Sequence, residues 1–157
     1  MASKIKWFGK KVMREIEKET NDNLIRAADF LVGEVKKSLK QPGTGRTYDW
    51  EFAAGGKVWK WLRMPNGKLI PVKKRAKPHT ASAPGKPPAT DHGQYSQSIT
   101  REDPKRHGKI ITIKVGTNKK VGKWLEFGTR YMAPRPHFRP AFNKNLNKLK
   151  KIIAGKA

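Results

Sequence analysis

The chain has 157 residues, a usual length for one domain with room for an arm or insertion. It has no cysteine, which excludes disulfides, thiolate zinc sites and cysteine nucleophiles. Lys and Arg number 36 against 12 Asp and Glu, so the formal net charge is +24. Such an excess attracts polyanions and disfavours a compact state by self-repulsion. It therefore predicts nucleic acid or an acidic partner, with a merely solubilising cationic surface as the alternative.

The distribution of apolar residues argues against a membrane or secretory role. No stretch approaches the roughly 20 apolar residues that a membrane-spanning helix needs. The N-terminus, Met1–Gly9, starts basic but turns polar before the apolar core of a signal peptide develops. We therefore expect a soluble protein with no membrane partner and no export.

Residues 4–40 have the spacing of a helix, with apolar residues every three or four positions. They form two stripes offset by roughly 100° around the helix axis, so one straight helix cannot bury both on one flat partner. Asn21-Asp22-Asn23 lies at the join and supplies N-cap residues, which predicts a break, a bend or a first segment on a different neighbour. Gln41-Pro42-Gly43 ends the region. The stripes are Ile5, Phe8, Val12 and Ile16, and then Leu24, Ala28, Leu31, Val35 and Leu39.

Residues 44–75 have the aromatic and β-branched composition of a β-meander, interrupted by Gly55-Gly56 and Asn66-Gly67. Asn-Gly is a strong hairpin signal because both central residues of that turn type take positive φ. The tryptophans exceed what so short a hairpin can bury. They predict an arm whose aromatic face contacts another subunit or a ligand. These candidate subunit-interface residues are Trp50, Trp59 and Trp61.

Residues 73–90 are basic and rich in proline and glycine, which predicts an extended segment without regular structure. A solvated loop or phosphate contact is a better explanation of its basic run than a nuclear localisation signal. Residues 44–90 are thus interpreted as a Trp-rich β-hairpin arm and a basic Pro-rich loop inserted in a single domain spanning 1–157. The candidate DNA or polyanion contacts are Lys73, Lys74, Arg75 and Lys77.

The rest of the chain alternates short elements with turns. Residues 93–99 favour a helical turn, and residues 109–115 favour a strand closed by Gly116. Residues 124–127 are either a strand or a helix end before a turn, and Pro140 starts an amphipathic helix. The predicted fold class is α+β, with a long N-terminal helix and a C-terminal helix packed on a small antiparallel sheet, and with an extended β-hairpin arm.

Residue types that carry catalysis or bind metals are scarce and scattered. No histidine has a second ligand at metal-site spacing, and no serine lies in a nucleophile elbow. The carboxylates after residue 40 are too few and scattered for a two-metal nuclease. The sequence therefore predicts no catalytic, cofactor-binding or metal-binding residue, and a function in binding. The residues considered are His79, His92, His107, His137, Ser82, Ser96, Ser98, Asp49, Glu51, Asp91, Glu102, Asp103 and Glu126.

Two blocks of the chain carry motifs of a known family. The first is the Pro/Gly-rich stretch Ser82–Ile99. The second comprises Val115-Gly116, then Trp124–Thr129 with its Glu-Phe-Gly-Thr, then Met132–Phe142 with a Pro-x-Phe-x-Pro-Ala run. In these blocks the chain resembles the HK97 gp10-like family of siphophage proteins, called neck, head-tail joining or tail-completion proteins.

The resemblance covers residues 82–150 well and residues 10–40 loosely. Residues 44–75 are longer and richer in tryptophan than the family's segment, so the resemblance does not support a role for them. Val121–Trp124 stands where the family often has Ala-Pro-Tyr, and His92 where a small polar residue is more common. The motif residues are Pro84, Gly85, Pro88, Gly93, Ser98, Gly116, Glu126, Phe127, Gly128, Thr129, Pro134, Pro136, Phe138, Pro140 and Ala141.

Physical chemistry gives most motif residues a structural role. Gly128 permits positive φ or a close backbone approach, and the Thr129 side chain can bond the turn. The prolines restrict the backbone of the segment that precedes and begins the last helix. Glu126 is expected to pair with an arginine, in the same or a neighbouring subunit. The residues predicted to pack that helix on the sheet are Phe127, Phe138 and Phe142, and the candidate arginines are Arg130, Arg135 and Arg139.

The resemblance implies a structural virion protein of a tailed bacteriophage and not an enzyme. It implies a homo-oligomeric ring in the neck, between head-completion or adaptor proteins and tail-terminator or tail-tube proteins, after assembly in the host cytoplasm. Basic residues facing the lumen would contact packaged DNA without sequence specificity. The main alternative is a free-standing, non-sequence-specific nucleic-acid-binding protein whose arm tryptophans stack on bases. A nuclease or lysis enzyme is a weaker alternative because no group of catalytic residues can be assembled from this sequence.

Overall fold

The structure is a computed structural model that describes residues 8–53, 55 and 57–156. It confirms the predicted α+β class, with a long N-terminal helix, a C-terminal helix and small antiparallel sheets. No helix in these ranges is both long enough and apolar enough to cross a membrane. The helices are α1 (Gly9–Leu39), α2 (Gln94–Gln97), α3 (Lys120–Phe127) and α4 (Phe138–Ile153). The strands are β1 (Thr47–Phe52), β2 (Lys60–Arg63), β3 (Leu69–Thr80), β4 (Ile99–Arg101), β5 (Lys105–His107), β6 (Ile110–Thr112) and β7 (Val115–Thr117).

Helix α1 is continuous through Asn21-Asp22-Asn23, so the predicted break is wrong. Asn23 is buried inside the helix and does not cap a new one. Propagating an existing helix is easier than nucleating a second, which favours continuity here. The alternative of a first segment that packs on a different neighbour stays a prediction, and Val12 and Ile16 of the first stripe are exposed in the protomer. Ile5, the first member of that stripe, lies outside the described residues.

The hydrophobic core lies where α1 packs along α4 and against the sheet formed by β4 and β7. Val35 and Leu39 of the second stripe, Ile99 of β4 and Ala141 of α4 are buried together. Leu31, Val32, Tyr95 and Phe138 pack against them. The second stripe therefore faces the core as predicted, because helical spacing places these residues on one side of α1.

The arm is a separate three-stranded antiparallel sheet with the order β1-β3-β2. A meander would place the second strand in the middle, so that prediction is wrong. The expected loop over 73–80 is also wrong, because these residues belong to β3. Pro78 lies where the pairing with β1 shifts register, and such an irregularity tolerates a residue without an N–H group. Residues 81–90 lack regular structure, as predicted.

The hairpin predicted at Asn66-Gly67 joins β2 to β3. The N–H of Gly67 donates to the carbonyl of Met64 at 2.9 Å, and Gly67 has φ 80°. The side-chain oxygen of Asn66 accepts from the N–H of Lys68 at 3.1 Å. Only Gly67 takes positive φ, so the turn differs from the Asn-Gly type in which both central residues do.

The strand predicted over 109–115 is divided between two partners. Strand β6 pairs with β5, whereas β7 pairs with β4 and continues through Gly116 instead of ending there. The helical turn predicted near 93–99 is α2, and residues 124–127 are the end of helix α3. Helix α4 begins two residues before Pro140, whose missing N–H is harmless in a first turn.

Candidate assembly site

The second motif block forms a junction between α3 and α4 that is centred on Glu126. Its carboxylate accepts backbone N–H bonds from His137 at 2.9 Å, Phe138 at 3.1 Å and Arg139 at 3.0 Å. Helix α4 has no side-chain cap from its own N-cap residue and no acidic residue in its first turn. A carboxylate from α3 therefore satisfies the unpaired N–H groups at the positive end of α4.

The predicted pairing of Glu126 with an arginine is wrong for the described protomer, because its partners are backbone N–H groups and the ring of His137. Arg139 contributes its backbone N–H rather than its guanidinium. Arg135 instead donates from Nε to the carbonyl of Ser82 at 3.1 Å. The first N–H groups of α4 are partly buried and need acceptors, and the Glu126 carboxylate supplies one.

His137 is fully buried beside Glu126 and was not predicted to have this role. Burial lowers its pKa below the ordinary histidine value, although its contact with the Arg135 carbonyl and the charge of Glu126 act in the opposite direction. Burial raises the pKa of Tyr95 to about 12, with a further contribution from the charge of Glu126. Burial would also raise the pKa of Glu126, but the three N–H bonds and His137 bring it below the usual glutamate value.

The two motif blocks meet in space. The N–H of Gly85 donates to the carbonyl of Pro134 at 2.9 Å, which joins the first block to the second. The N–H of Arg135 donates to the carbonyl of Leu125 at 2.7 Å, so the segment before α4 is tied to α3. The motif thus builds a folded junction between its two blocks.

The turn after α3 has the geometry that its glycine predicted. Gly128 has φ 77°, and a Cβ there would lie 2.8 Å from the carbonyl oxygen of Met132. The Thr129 hydroxyl accepts from the N–H of Tyr131 at 3.2 Å, as expected for a side chain that bonds its own turn. Both features stabilise the turn that follows α3 and precedes the segment leading to α4.

The remaining motif residues hold loops and α2 in place. Pro84 and Gly85 form a turn, Pro88 is buried, and Gly93 takes φ 76° immediately before α2. The Ser98 hydroxyl lies 2.7 Å from both the carbonyl of Tyr95 and the hydroxyl of Thr117 in β7. Gly122 also belongs to this packing, because a Cβ there would collide with Thr117 and lie 3.1 Å from the Tyr95 hydroxyl. A glycine inside a helix was the only sequence signal for that close approach.

Two motif aromatics lie on the surface. Phe127 is 68% exposed and Phe142 is 44% exposed, so the prediction that both pack the last helix on the sheet is wrong; of the three phenylalanines, only Phe138 packs against the core. Trp124 and Tyr131 are exposed near Phe127 in the chain. Helix α3 therefore buries one side against the junction and presents an aromatic side to solvent.

The arm exposes two of its three predicted interface tryptophans. Trp59 is 46% exposed and Trp61 is 61% exposed. Trp50 is only partly exposed and makes an edge-to-face contact with Tyr48, with ring centroids 5.5 Å apart. Val72 of β3 is fully buried in this sheet. The sheet therefore has a small core of its own and still leaves aromatic surface uncovered.

The four predicted polyanion contacts differ in availability. Arg75 makes a bidentate ion pair with Asp91 and lies 3.5 Å from Glu51, and Lys73 lies 3.2 Å from Glu51. The pairs with Glu51 link β3 to β1 within the arm, whereas the pair with Asp91 connects the arm to the loop before α2, a role that sequence spacing did not reveal. Lys74 and Lys77 are exposed and form no ion pair with a described residue.

The candidate histidines do not converge on a metal site. His79 and His92 lie 3.8 Å and 3.5 Å from Asp91. His107 is exposed in β5, and His137 belongs to the buried junction. Within residues 8–53, 55 and 57–156, no group of three or more His, Asp or Glu is arranged to hold a metal ion.

Comparison with known proteins gives one family match. Residues 69–128 match the HK97-gp10_like family model, described as "Bacteriophage HK97-gp10, putative tail-component". This segment is HK97 gp10-like. No curated protein and no solved structure matches the chain. Over this segment, the match confirms the resemblance named from the sequence motifs.

The HK97 gp10-like segment extends from β3 of the arm to the end of α3, and so includes both blocks up to Gly128. It begins before the first motif block and ends before the Pro-x-Phe-x-Pro-Ala run. The family is one of structural phage proteins, so the match supports a structural, tail-related bacteriophage component located in the virion.

Proposed function

We propose that this protein forms a ring in the neck of a tailed phage, where it joins the head to the tail and completes the tail. The observation that carries the proposal is the match of residues 69–128 to a phage tail-component family. The proposed neighbours are head-completion or adaptor proteins on one side and tail-terminator or tail-tube proteins on the other. Its place in the particle is the head-tail junction.

The uneven distribution of exposed apolar surface supports ring formation. A ring requires a heterologous interface, in which one patch docks on a different patch of the next copy. The protomer exposes three such patches, on the first half of α1, on α3 and on the arm. Large exposed apolar residues gathered on separate elements are typical of surfaces that become covered in an assembly.

The charge distribution supports contact with DNA in the lumen. After Asp103, the sequence contains one acidic residue, Glu126, and its carboxylate is occupied at the start of α4. Helix α4 presents exposed lysines and carries no acidic residue. A surface of this kind binds phosphates without reading sequence. The exposed lysines of α4 are Lys144, Lys148, Lys150 and Lys151.

The alternative function is that of a free-standing, non-sequence-specific nucleic-acid-binding protein. The observation that favours this alternative is the alternation of the exposed Trp59 and Trp61 with Lys60 in the arm. Aromatic rings between lysines can stack on unpaired bases while the charges contact the backbone. Such a protein would bind single strands as a monomer, whereas a ring component would depend on other virion proteins.

The test is mass spectrometry of purified virions from the phage or prophage that encodes this chain, together with cryo-electron microscopy of the head-tail junction. We expect a small, fixed copy number relative to the major tail protein, and density for a ring at the junction. Absence of the chain from finished particles would reject the neck proposal and favour the nucleic-acid-binding alternative.

A further inference from the structure

The first part of α1 extends beyond the end of α4. A Cβ on Gly155, just after α4, would lie 3.3 Å from Nδ2 of Asn23 and 3.6 Å from Oε1 of Glu19. Residues 8–18 therefore project past the point where α4 ends, and we call them the α1 overhang. At about 1.5 Å per residue, this segment is roughly 15 Å long.

The α1 overhang continues the face of α1 that α4 covers farther along. At about 100° per residue, Val12 and Ile16 project in nearly the same direction as the buried Asn23 and Ala27. Phe8, Val12, Met13 and Ile16 are nevertheless exposed. The apolar face thus runs on beyond α4, and no described part of the protomer covers it.

One edge of this apolar face is acidic, although the chain as a whole is strongly basic. Glu15, Glu19 and Asp22 recur at helical spacing beside the apolar residues and form no ion pair with any described residue. Glu17, on the opposite edge, is already paired with Arg106 of β5. Lys11 and Lys18 lie farther around the helix, beyond the acidic edge.

The outer side of α3 has complementary properties. Val121, Trp124 and Phe127 are exposed and fall within about 120° of the helix circumference. Lys120 falls within this arc and Lys123 about 40° beyond Phe127; both are exposed and have no ion-pair partner among the described residues. The row from Val121 to Phe127 is about 9 Å long along the helix axis, and the row from Phe8 to Ile16 on α1 is about 12 Å long, so the two rows are similar in length.

We propose that the α1 overhang of one copy docks on the outer side of α3 of the next copy, with Glu15 of the overhang and Glu19, which directly follows it, facing Lys120 and Lys123. This inference rests on the proposed ring and identifies the two surfaces that close it. Two different patches meet, so the contact is head-to-tail and can generate a ring. Pairing α1 with α1 would oppose carboxylates, and pairing α3 with α3 would oppose lysines, both of which are unfavourable.

Helix α3 is a better partner for the α1 overhang than the arm because it is held rigidly. Its inner side packs through Gly122 against Tyr95 and Thr117, and Glu126 joins it to α4. Trp61 of the arm lies instead on an edge strand of a separate sheet. A surface that is already ordered loses less conformational entropy on binding.

Cysteine cross-linking tests this contact cleanly because the chain contains no cysteine. The double variant Val12→Cys with Val121→Cys is introduced into the phage, and purified virions are treated with a short bis-maleimide. We expect a ladder of covalent multimers that ends at the ring size. Lys10→Cys with Val121→Cys is the matched control, because Lys10 is on the far side of α1, and it should remain monomeric.

The outcomes separate this inference from the proposed function. A chain that is present in virions but gives no ladder would overturn the inference while leaving the neck role intact. Dimers from Val12→Cys alone would also overturn it, because they indicate α1 against α1. A chain that is absent from virions would reject the neck role itself.

A charge exchange provides a second measurement that does not depend on cross-linking. Glu15→Lys or Lys123→Glu alone should lower the titre of infectious particles about tenfold or more, because each places like charges across the contact. The combination should restore most of the titre. Failure of the combination to improve on either single variant, with all variants soluble and folded, would show that these residues do not face each other.

Discussion

The phenolic oxygen of Tyr95 lies 2.5 Å from Nε2 of His137, and this contact ties α2 to the segment that starts α4. Nδ1 of His137 lies 3.2 Å from both the carbonyl of Arg135 and Oε2 of Glu126, so a neutral ring with its proton on Nδ1 can donate on that side and accept from Tyr95 on the other. The raised pKa of Tyr95 keeps its hydroxyl protonated as the donor. Burial lowers the pKa of His137 and so favours the uncharged ring in this junction.

The first prediction concerns pH. The folded-state pKa of His137 is below the unfolded value of about 6.5, so the unfolded chain binds more protons in between. Stability is therefore full above about pH 6.5 and is lost as pH falls through the folded pKa. The lowered pKa of Glu126 extends the loss to more acidic pH. The melting temperature should fall between pH 7 and pH 5.

The control for this pH dependence is the exposed His107. His107→Gln should retain the slope of melting temperature against pH, whereas His137→Gln should flatten it because the titrating group is gone. Equal slopes in both variants would show that the buried histidine does not control acid stability.

The second prediction concerns the cap on α4. Glu126→Ala removes the acceptor of three backbone N–H groups, and we expect a loss of about 1–3 kcal/mol in the free energy of unfolding. Glu126→Gln keeps an acceptor oxygen and should lose less. Urea denaturation measures both, with the exposed Glu102→Gln as a control that should change by less than about 0.5 kcal/mol. A neutral Glu126→Ala would refute the capping role.

The third prediction concerns the turn after α3. Gly128→Val forces a side chain into positive φ and toward the Met132 carbonyl, so it should lower stability by at least about 1–3 kcal/mol. Gly116→Ala is a suitable control because Gly116 lacks positive φ and a Cβ there would meet nothing within 4 Å. An unchanged melting temperature for Gly128→Val would contradict the turn geometry.

The fourth prediction concerns the arm tryptophans. Replacing Trp59 and Trp61 by Ala should leave the protomer folded, since both rings are already exposed, and should block assembly into particles. Circular dichroism of the purified chain and the titre of infectious particles measure the two effects. Normal titres would rule out an essential contact through the arm.

The fifth prediction concerns phosphate binding. Charge reversal of Lys73, Lys74 and Arg75 would test the basic run, but Lys73 and Arg75 also hold the arm through Glu51 and Asp91. Lys74→Glu with Lys77→Glu avoids that complication. It should weaken DNA binding and reduce the salt slope by about one for each phosphate that the variant no longer neutralises. Lys109→Glu with Lys114→Glu changes the net charge equally; equal slopes for the two variants would place the DNA surface elsewhere.

The features that the sequence determined by itself depend on residues close together in the chain. Helical spacing predicted the buried side of α1 at Val35 and Leu39. Asn66-Gly67 predicted the hairpin, and Gly128 predicted a turn of positive φ. Motifs in fixed order predicted the family resemblance that the match over residues 69–128 bears out. Local backbone preferences and periodicity cause these features, so they are visible without a fold.

Tertiary structure alone decided which distant groups meet. Glu126 could have paired with an arginine, but the unpaired N–H groups of α4 lie where its carboxylate can reach them. Arg75 belongs to a basic run that could have bound phosphate, yet its guanidinium pairs with Asp91 in the loop before α2. Strand β3 lies between β1 and β2 although the chain order suggested a meander. In each case several partners are chemically acceptable. Only the packing of the whole chain determines which of them comes within hydrogen-bonding distance.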